Sequence, residues 1–385
     1  MLIRYSQNKD GKPVKKAVIY TSDEHCIKIE DIDPDALKVI TQLKSFGFSA
    51  YLVGGAVRDL LLGRTPKDFD IVTDATPSKI KKLFRNSRII GRRFRLVHVF
   101  FGSKIFEVST FRSISTGTVG NNFGTMDEDV QRRDFTLNAL YFDPVKMQII
   151  DYVGGVRDIR KQIIKPVIPL ETIFVEDPVR MLRAVKYAAS TGFKMPVQLK
   201  RKICKSAHLL SPVSPSRLTE ELLKIINSGH AYDIVKLCIE TDLYMYLQPG
   251  ATSFMYEKSG FEKKYLDRLK HLDALHEINP EARLGQKLTY IIFDFIESLT
   301  DWKKEVSVSA AGELYTRTWS QCRNFVLPMN PQRTELEYAI REVLRKLGVT
   351  MRIPKSAFTT KKRNNKKKGK KVKPSNSDGA EKVVS

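Results

Sequence analysis

The hydrophobic period of this chain changes between residues 150 and 171, and this change restricts the fold more than any other feature. Up to about residue 150, apolar runs of strand length such as SAYLV and FDIVT alternate with helical patterns such as DPDALKVITQLKSFGF. The run RLVHVFFGSKIFEVSTFR is two strands broken at Gly102 and Ser103, which is typical of a hairpin. From about residue 171, apolar residues recur at helical spacing. The pattern predicts an α+β protein, with an α/β domain first and an all-helical second half.

Two segments lack this patterning. The segment between Arg112 and Arg132, SISTGTVGNNFGTMDEDVQ, is rich in Gly, Ser, Thr and Asn, and we expect a loop there. The last thirty or so residues lose their apolar content and are rich in Lys and Arg, which predicts a basic disordered tail.

The net charge points to a polyanionic partner. The chain carries 66 Lys and Arg against 43 Asp and Glu, a formal charge of +23. Residues 352–385 contribute +10 of this, so removing them still leaves +13 on the first 351 residues. No amphipathic helix accompanies the charge, and the apolar run LTYIIFDFI is too short to cross a bilayer. We therefore expect nucleic acid, and no membrane, as the partner. For the tail itself, a solvated charge run and a nonspecific grip on RNA both remain open.

The cysteines and the N-terminus predict a cytoplasmic protein. Cys26, Cys204, Cys238 and Cys322 are far apart and form no CxxC pair, which is typical of reduced thiols inside a cell. The N-terminal segment MLIRYSQNKDGKP has no apolar stretch of the kind that directs secretion.

Three carboxylates form a candidate metal site. Asp68 and Asp70 flank one residue at the start of a predicted strand, where side chains two residues apart share a face. Glu107 lies on the second strand of the predicted hairpin, and its neighbours Phe106 and Val108 are apolar, so Glu107 can face the aspartates. Carboxylates at this spacing can share a pair of Mg²⁺ ions, which activate the attacking oxygen and stabilise the leaving one in phosphoryl or nucleotidyl transfer. A solvated strand end is the alternative for each of them.

A glycine turn precedes these carboxylates. Gly54 and Gly55 lie between a strand and a short helix, where bare backbone N–H groups suit a phosphate chain. Arg58 follows on the helix and could hold a phosphate through two hydrogen bonds. The turn would then cradle a triphosphate while the aspartates carry its metal. A tight turn with no ligand is the alternative.

Six spaced motifs carry a family resemblance: LVGGAVRD, DFD, EVSTFR, RRDFTLNAL, DYVGGVRDI and EDPVRMLRAVKYA. In this order they closely resemble the motifs of the tRNA nucleotidyltransferase and poly(A) polymerase family of the bacterial type, from about residue 30 to residue 230. The segments RIIGRRFRLVHV and NNFGTMDEDVQRRDFTLNAL look like the poly(A) polymerase branch rather than the CCA-adding branch. Residues 235–350 show no motif that matches with confidence.

The resemblance implies a domain order. Residues 1–30 are expected to be an N-terminal extension, and 31–150 a nucleotidyltransferase catalytic head of the polymerase β-like type. Residues 151–230 are expected to be a helical neck with nucleotide-base contacts, 231–350 a helical RNA-binding body and 351–385 the basic tail.

The resemblance also implies site roles. Asp68 and Asp70 match the metal ligands, and Glu107 matches the third catalytic carboxylate. The residues implied to bind the nucleotide are Gly54, Gly55 and Arg58 for the triphosphate, Arg133, Asp134 and Asn138 for the sugar and phosphates, and Asp177, Arg180 and Arg183 for the base or its support. Physically, a carboxylate can accept from an exocyclic amine and a guanidinium can donate to a base edge. An intrahelical Asp177–Arg180 salt bridge is the alternative.

Two further motifs have implied structural roles. Asp151, Gly154, Gly155 and Asp158 match a hinge between head and neck, although their composition alone indicates only a turn. Arg217 and Glu220 match a later helical motif that supports the neck.

The expected function is template-independent addition of AMP from ATP to RNA 3′ ends with Mg²⁺ as the cofactor. The alternative within the class is addition of CCA, or part of it, to tRNA. A different class, an RNA-binding protein with an inactive head, is disfavoured because the glycine turn and all three carboxylates occur together. A fused phosphohydrolase is also not expected, since the histidines form no adjacent His-Asp pair.

Overall fold

A computed structural model of the chain describes residues 2–7, 13–91, 95–113, 123–299 and 308–349. Its nine strands are β1 (Leu2–Gln7), β2 (Pro13–Tyr20), β3 (Ala50–Val53), β4 (Asp70–Thr73), β5 (Ser87–Ile90), β6 (Leu96–Phe101), β7 (Lys104–Thr110), β8 (Leu140–Asp143) and β9 (Gln148–Asp151). They form one sheet in the order β1-β2-β9-β8-β3-β4-β7-β6-β5. The pairs are antiparallel except for β4 and β7, which are parallel.

The helices of the first half are α1 (Pro34–Ser45), α2 (Gly55–Leu61), α3 (Pro77–Leu83) and α4 (Met126–Gln131). The side chain of Asp33 accepts a hydrogen bond from the Asp35 backbone N–H at 2.8 Å, and Pro34 opens α1, as the sequence predicts. Helices α1, α2 and α3 cover one face of the sheet and bury residues such as Ile40 and Leu52 completely.

The second half is helical, which confirms the predicted fold class. Its helices are α5 (Gly155–Arg160), α6 (Ile173–Glu176), α7 (Val179–Thr191), α8 (Val197–Ser206), α9 (Pro215–Ile226), α10 (Ala231–Glu240), α11 (Tyr244–Leu247), α12 (Pro249–Glu257), α13 (Phe261–Ile278), α14 (Leu284–Leu299), α15 (Val308–Phe325) and α16 (Arg333–Lys346). Helix α10 packs on α7 and α13, and α14 packs on α13 and α16. Within the described ranges, no helix is long and apolar enough to cross a membrane.

The structure contains elements that the pattern did not predict. The first twenty residues, expected as an extension, include β1 and β2, and β2 extends the sheet by pairing with β9. Strand β8 is buried along its whole length and therefore lacks the alternation that marks a half-buried strand. Helix α4 lies inside the expected loop, where Thr125 and Glu128 form a capping box.

Three predictions concern residues outside the described ranges. They are the middle of the expected loop (114–122), part of the branch-specific segment (92–94) and the whole basic tail (351–385).

Candidate active site

The register of the sheet places two of the three candidate carboxylates side by side. Strands β4 and β7 run parallel and pair Ile71 with Val108, so the residues just before these, Asp70 and Glu107, are neighbours across the two strands. Neighbouring residues on paired strands point to the same face. Val108 is fully buried on the opposite face and Glu107 is exposed, so Glu107 faces the aspartate side, as predicted.

The same face carries a longer line of side chains across six strands. In the sheet, Val53 pairs with Tyr141 and with Asp70, and His98 pairs with Glu107 and with Arg88. We call this line the cleft row; in spatial order it is Tyr141, Val53, Asp70, Glu107, His98 and Arg88. It brings an arginine-binding tyrosine, two carboxylates and a histidine onto one surface.

Asp70 lies in an electrostatically unfavourable position. Partial withdrawal from water raises its pKa to about 6, the negative charges of Glu107 and Asp68 add to the rise, and the positive charge of Arg133 opposes it. Asp70 is surrounded by protein on several sides but remains open to solvent, because it lines a surface cleft together with Glu107. A bound cation would relieve the repulsion among these carboxylates.

The position of Asp68 differs from the one predicted from the sequence. Strand β4 begins at Asp70, so Asp68 lies in the segment before the strand, and strand geometry does not set its direction. Its charge nevertheless acts on Asp70. The two side chains therefore belong to one electrostatic cluster, although the premise of a shared strand face holds for Asp70 alone.

The donor set of this cluster fits a hard divalent cation. Its groups are carboxylates, the ligands that Mg²⁺ prefers, and Asp68 and Asp70 have no hydrogen-bond or ion-pair partner in the described part of the chain. Across the same described ranges, no three His, Cys, Asp or Glu side chains converge tightly enough to form a complete metal centre by themselves. A cation here would need oxygens from water or from a bound phosphate to complete its coordination.

Three arginines also line this cleft. The cleft is lined by Val53, Asp70, Leu96, Glu107, Ser109, Arg112, Asp129, Arg132 and Arg133. Desolvation is the main factor that lowers the pKa of Arg112 and of Arg132, and nearby guanidinium groups lower both further. Guanidinium groups remain charged at neutral pH, so this part of the cleft is cationic and suits a polyanion such as a triphosphate.

Arg133 is held in place by a buried network. Its Nε donates to the Tyr141 hydroxyl at 3.0 Å, its Nη1 to the Asn138 carbonyl oxygen at 3.2 Å and its Nη2 to Asp129 Oδ2 at 3.0 Å. The Tyr141 hydroxyl in turn donates to Asp129 Oδ2 at 2.7 Å. Each nitrogen is therefore oriented by a protein acceptor, and the remaining N–H groups are left for a ligand.

The glycine turn approaches both sides of the cleft. Gly54 has φ +70° and ψ −133°, a backbone conformation that residues with a Cβ rarely adopt. A Cβ on Gly54 would lie 3.8 Å from Asp70 Oδ2 and 3.9 Å from Arg133 Nη1. Gly54 thus keeps open the space between the carboxylates and the arginines, and Gly55 begins helix α2 beside it.

Arg58 binds protein groups in this structure. It donates to both carboxylate oxygens of Asp59, at 2.8 and 2.9 Å, and to Asn138 Oδ1 at 2.9 Å. Its direct role toward a phosphate stays a prediction. What the structure shows is that Arg58 orients Asn138, whose backbone carbonyl also holds Arg133.

The residues implied to contact the base have other partners than expected. Asp177 lies before helix α7, so it does not share a helix face with Arg180, and the intrahelical salt bridge considered above is absent between these two residues. Arg217 Nη2 instead donates to both Asp177 oxygens, at 2.9 and 3.1 Å. Arg180 donates to Glu176 Oε2 at 2.8 Å, and its charge acts on Arg132, which places it near the cleft wall.

Other motif residues connect the sheet to the helices. Arg183 Nη1 lies 3.5 Å from Asp134 Oδ2 and so links α7 to the segment after α4. Asp151 accepts four backbone N–H groups, from residues 153 to 156, and ends β9. A Cβ on Gly155 would lie 2.3 Å from the Thr136 carbonyl oxygen, so this position requires glycine for packing.

Four residues of the site were missed in the sequence. Arg112 and Arg132 flank the predicted loop, and Arg132 directly precedes Arg133 of the motif RRDFTLNAL. Nothing in the local sequence around Asp129 or Tyr141 marks them as site residues. Their role becomes visible only in the structure, where both bind Arg133.

Comparisons with known proteins identify similar sequences and structures. The family model described as "Poly A polymerase head domain" matches residues 50–165, and the model described as "Probable RNA and SrmB- binding site of polymerase A" matches residues 192–255. The chain is 42% identical to poly(A) polymerase I of Escherichia coli over 306 residues, which cover 74% of this chain and 66% of that protein. It therefore spans just under two thirds of the length of that relative.

Relatives of the other branch are also similar. The chain is 36% identical to the CCA-adding enzyme of Bacillus licheniformis over 228 residues, which cover 58% of this chain and 57% of that protein. The crystal structure of the Bacillus stearothermophilus CCA-adding enzyme in complex with CTP superposes with a TM-score of 0.55 at 29% identity, covering 82% of this chain and 84% of that chain.

Proposed function

Because the chain belongs to the tRNA nucleotidyltransferase and poly(A) polymerase family, we propose that it adds AMP from ATP to RNA 3′ ends without a template. The observation that carries this proposal is the cleft, which Asp70 and Glu107 line together with three arginines. Carboxylates and guanidinium groups in one cleft suit a nucleoside triphosphate whose α-phosphate lies between them. The greater identity to poly(A) polymerase I than to the CCA-adding enzyme favours ATP alone as the substrate.

The reaction would replace the phosphoanhydride bond between the α- and β-phosphates of ATP with a phosphodiester bond to the RNA. The RNA 3′ oxygen attacks the α-phosphorus of ATP, the bond to the bridging oxygen of the β-phosphate breaks and pyrophosphate leaves. Arg133, with Arg112 and Arg132, would bind the triphosphate and stabilise the charge on the leaving group. Gly54 would leave room for the phosphates, and Arg58 and Asn138 would keep Arg133 oriented.

Asp68 and Asp70 would hold Mg²⁺, with Glu107 as the third carboxylate. When bound, the metal supplies Lewis acidity that promotes ionisation of the attacking hydroxyl and balances the charge of the leaving phosphates. Glu107 would help to orient the hydroxyl end of the RNA.

Asp177 and Arg180, supported by Arg183, would contact the base of the incoming nucleotide. A carboxylate can accept from the exocyclic amine of adenine, and a guanidinium can donate to ring nitrogens. Arg217 would fix the orientation of Asp177 from helix α9, and Glu176 that of Arg180.

The RNA would be held by the helical half and by charge. The segment matching the RNA-binding model, residues 192–255, contains helix α8 with the sequence VQLKRKICKS. Together with the positive charge of the chain, this supports an RNA contact that weakens as salt rises. RNA and ATP as substrates agree with a cytoplasmic location.

CCA addition is the second candidate, because the chain is also similar to CCA-adding enzymes. A gel assay separates the two: purified protein and Mg²⁺ are incubated with ATP, CTP or both, on an unstructured RNA and on a tRNA transcript lacking its CCA end. Long ladders from ATP alone on both RNAs are expected. Addition of a short CCA end only, requiring both nucleotides and the tRNA, would overturn the proposal in favour of the second candidate.

The hypothesis that the chain is an RNA-binding protein with an inactive head is tested by comparing wild type with Asp70→Ala. This change should abolish nucleotide incorporation and leave RNA binding in a filter assay intact. Incorporation by the variant at the wild-type rate would show that the carboxylate assignment is wrong.

A further inference from the structure

His98 is a titratable member of the cleft row, and neither the motif roles nor the proposed reaction gives it a part. It lies on β6 directly opposite Glu107 on β7, and its Nε2 is 3.4 Å from Glu107 Oε1. It also belongs to RIIGRRFRLVHV, the segment in which the sequence resembles one branch of the family. The structure places His98, near the end of this segment, next to the third carboxylate.

Glu107 needs a partner to keep its direction. Its side chain is 52% exposed and long enough to rotate into solvent, and the adjacent charge of Asp70 repels it. In the part of the chain that the structure describes, His98 is the only group within ion-pair distance of its carboxylate. Without His98, rotamers that turn away from Asp70 would be favoured.

His98 is itself fixed by packing. Its ring lies edge-on to Phe100, with the centroids 6.3 Å apart and the planes at 80°. Its side chain is 24% exposed, so it is held against the sheet more firmly than the glutamate it contacts. An N–H on Nε2 can donate to the carboxylate from this fixed position.

We propose that His98 is a positioning residue that holds the carboxylate of Glu107 toward Asp70, where both can serve the same reaction. The proposal rests on the function proposed above for Glu107. Groups that orient a metal-side carboxylate typically account for about 10–100-fold in metal affinity or activity.

The experiment compares His98→Phe, which keeps a ring for Phe100 and loses the donor, with His98→Gln, which keeps an N–H donor. Val145→Phe, which places a phenyl ring at an exposed position of the turn between β8 and β9, away from the residues assigned to nucleotide or RNA, is the control. We expect His98→Phe to lower kcat about 10–100-fold and leave the KM for ATP unchanged, His98→Gln to recover most of the loss and the control to behave as wild type. Should His98→Phe fail to fold, His98→Leu takes its place in the same comparison.

Two further readouts distinguish positioning from general disturbance. Mn²⁺ binding, followed by electron paramagnetic resonance without nucleotide, should weaken in His98→Phe. In the Glu107→Gln background, the His98→Phe change should have no additional effect on kcat, because the group it acts through is gone. An undiminished kcat for His98→Phe, or equal effects with and without Glu107, would overturn the proposal.

Failure of the proposed function gives a different result. If wild-type protein adds no nucleotide to RNA, that function is wrong, while the Mn²⁺ titration still tests the role of His98. Equal Mn²⁺ affinity in wild type and His98→Phe would then reject the positioning role, and a weakened affinity would support it.

Discussion

Substitution of Gly54 by alanine tests whether the glycine turn is the phosphate side of the cleft. Its backbone, at φ +70° and ψ −133°, is available to glycine and strained for alanine. The added Cβ would also stand 3.8 Å from Asp70 Oδ2 and 3.9 Å from Arg133 Nη1. These are ordinary contact distances, so the methyl group fits without a clash and occupies the space that the proposal assigns to the triphosphate.

The expected effects on stability and activity differ in origin. Backbone strain should lower the free energy of unfolding by about 1–3 kcal/mol. Loss of backbone approach to a phosphate should lower kcat/KM for ATP by about 10²–10³-fold, the range seen when one preorganised donor to a developing charge is removed. Gly63→Ala is the matched control, since Gly63 also has positive φ, at +67°, and its Cβ would have no neighbour within 4 Å.

Urea unfolding and steady-state AMP incorporation measure the two effects on the same samples. Gly63→Ala should lose stability through strain and keep its activity, whereas Gly54→Ala should lose both. A Gly54→Ala enzyme with the kcat/KM of wild type would show that the space beside Gly54 does not receive the triphosphate.

Three further changes test other parts of the site. Asp70→Asn should stabilise the metal-free protein. Folding raises the pKa of the Asp70 carboxyl from 3.8 to about 6, so the folded wild-type protein loses stability as pH rises through this window. In urea unfolding with EDTA above about pH 7, the variant should therefore have a larger free energy of unfolding than wild type. If Asp70→Asn and wild type had the same free energy of unfolding under these conditions, the inferred repulsion among the carboxylates would be wrong. Tyr141→Phe leaves the Arg133 Nε–H without its acceptor and should cost about 1–3 kcal/mol in urea unfolding, while Tyr51→Phe, for which no hydroxyl hydrogen bond is found in the described ranges, should cost less. Arg217→Ala removes a partly exposed ion pair and should change stability by less than about 1 kcal/mol, but it should reduce the preference for ATP over CTP in competition assays; an unchanged preference would separate Arg217 from base selection.

The outline of the fold was predictable because its signals are local. The caps of α1 and the hydrophobic periods of β4, β6 and β7 depend on residues a few positions apart, and the structure confirms these elements. Strands β8 and β9 escaped prediction because burial on both faces removes the alternation on which the prediction depends. The N-terminal strands pair with each other, but they join the sheet only through the pairing of β2 with β9, which lies far along the chain.

The site was predictable in part. The three carboxylates, the glycine turn and the arginine of RRDFTLNAL were named from the sequence, and Asp70, Glu107, Gly54 and Arg133 meet at the cleft. Base-contact residues were named too, but their partners were not, because Arg217 reaches Asp177 across forty residues of chain.

The sequence by itself determined which residue types are present, which face of a strand each can occupy and where a backbone without Cβ is required. Tertiary structure alone decided the register that joins Asp70, Glu107 and His98 in the cleft row. It also decided that Asp129 and Tyr141 hold Arg133. The physical reason is that periodicity selects a face within one strand, whereas alignment between strands and the choice of a hydrogen-bond partner depend on contacts between distant segments.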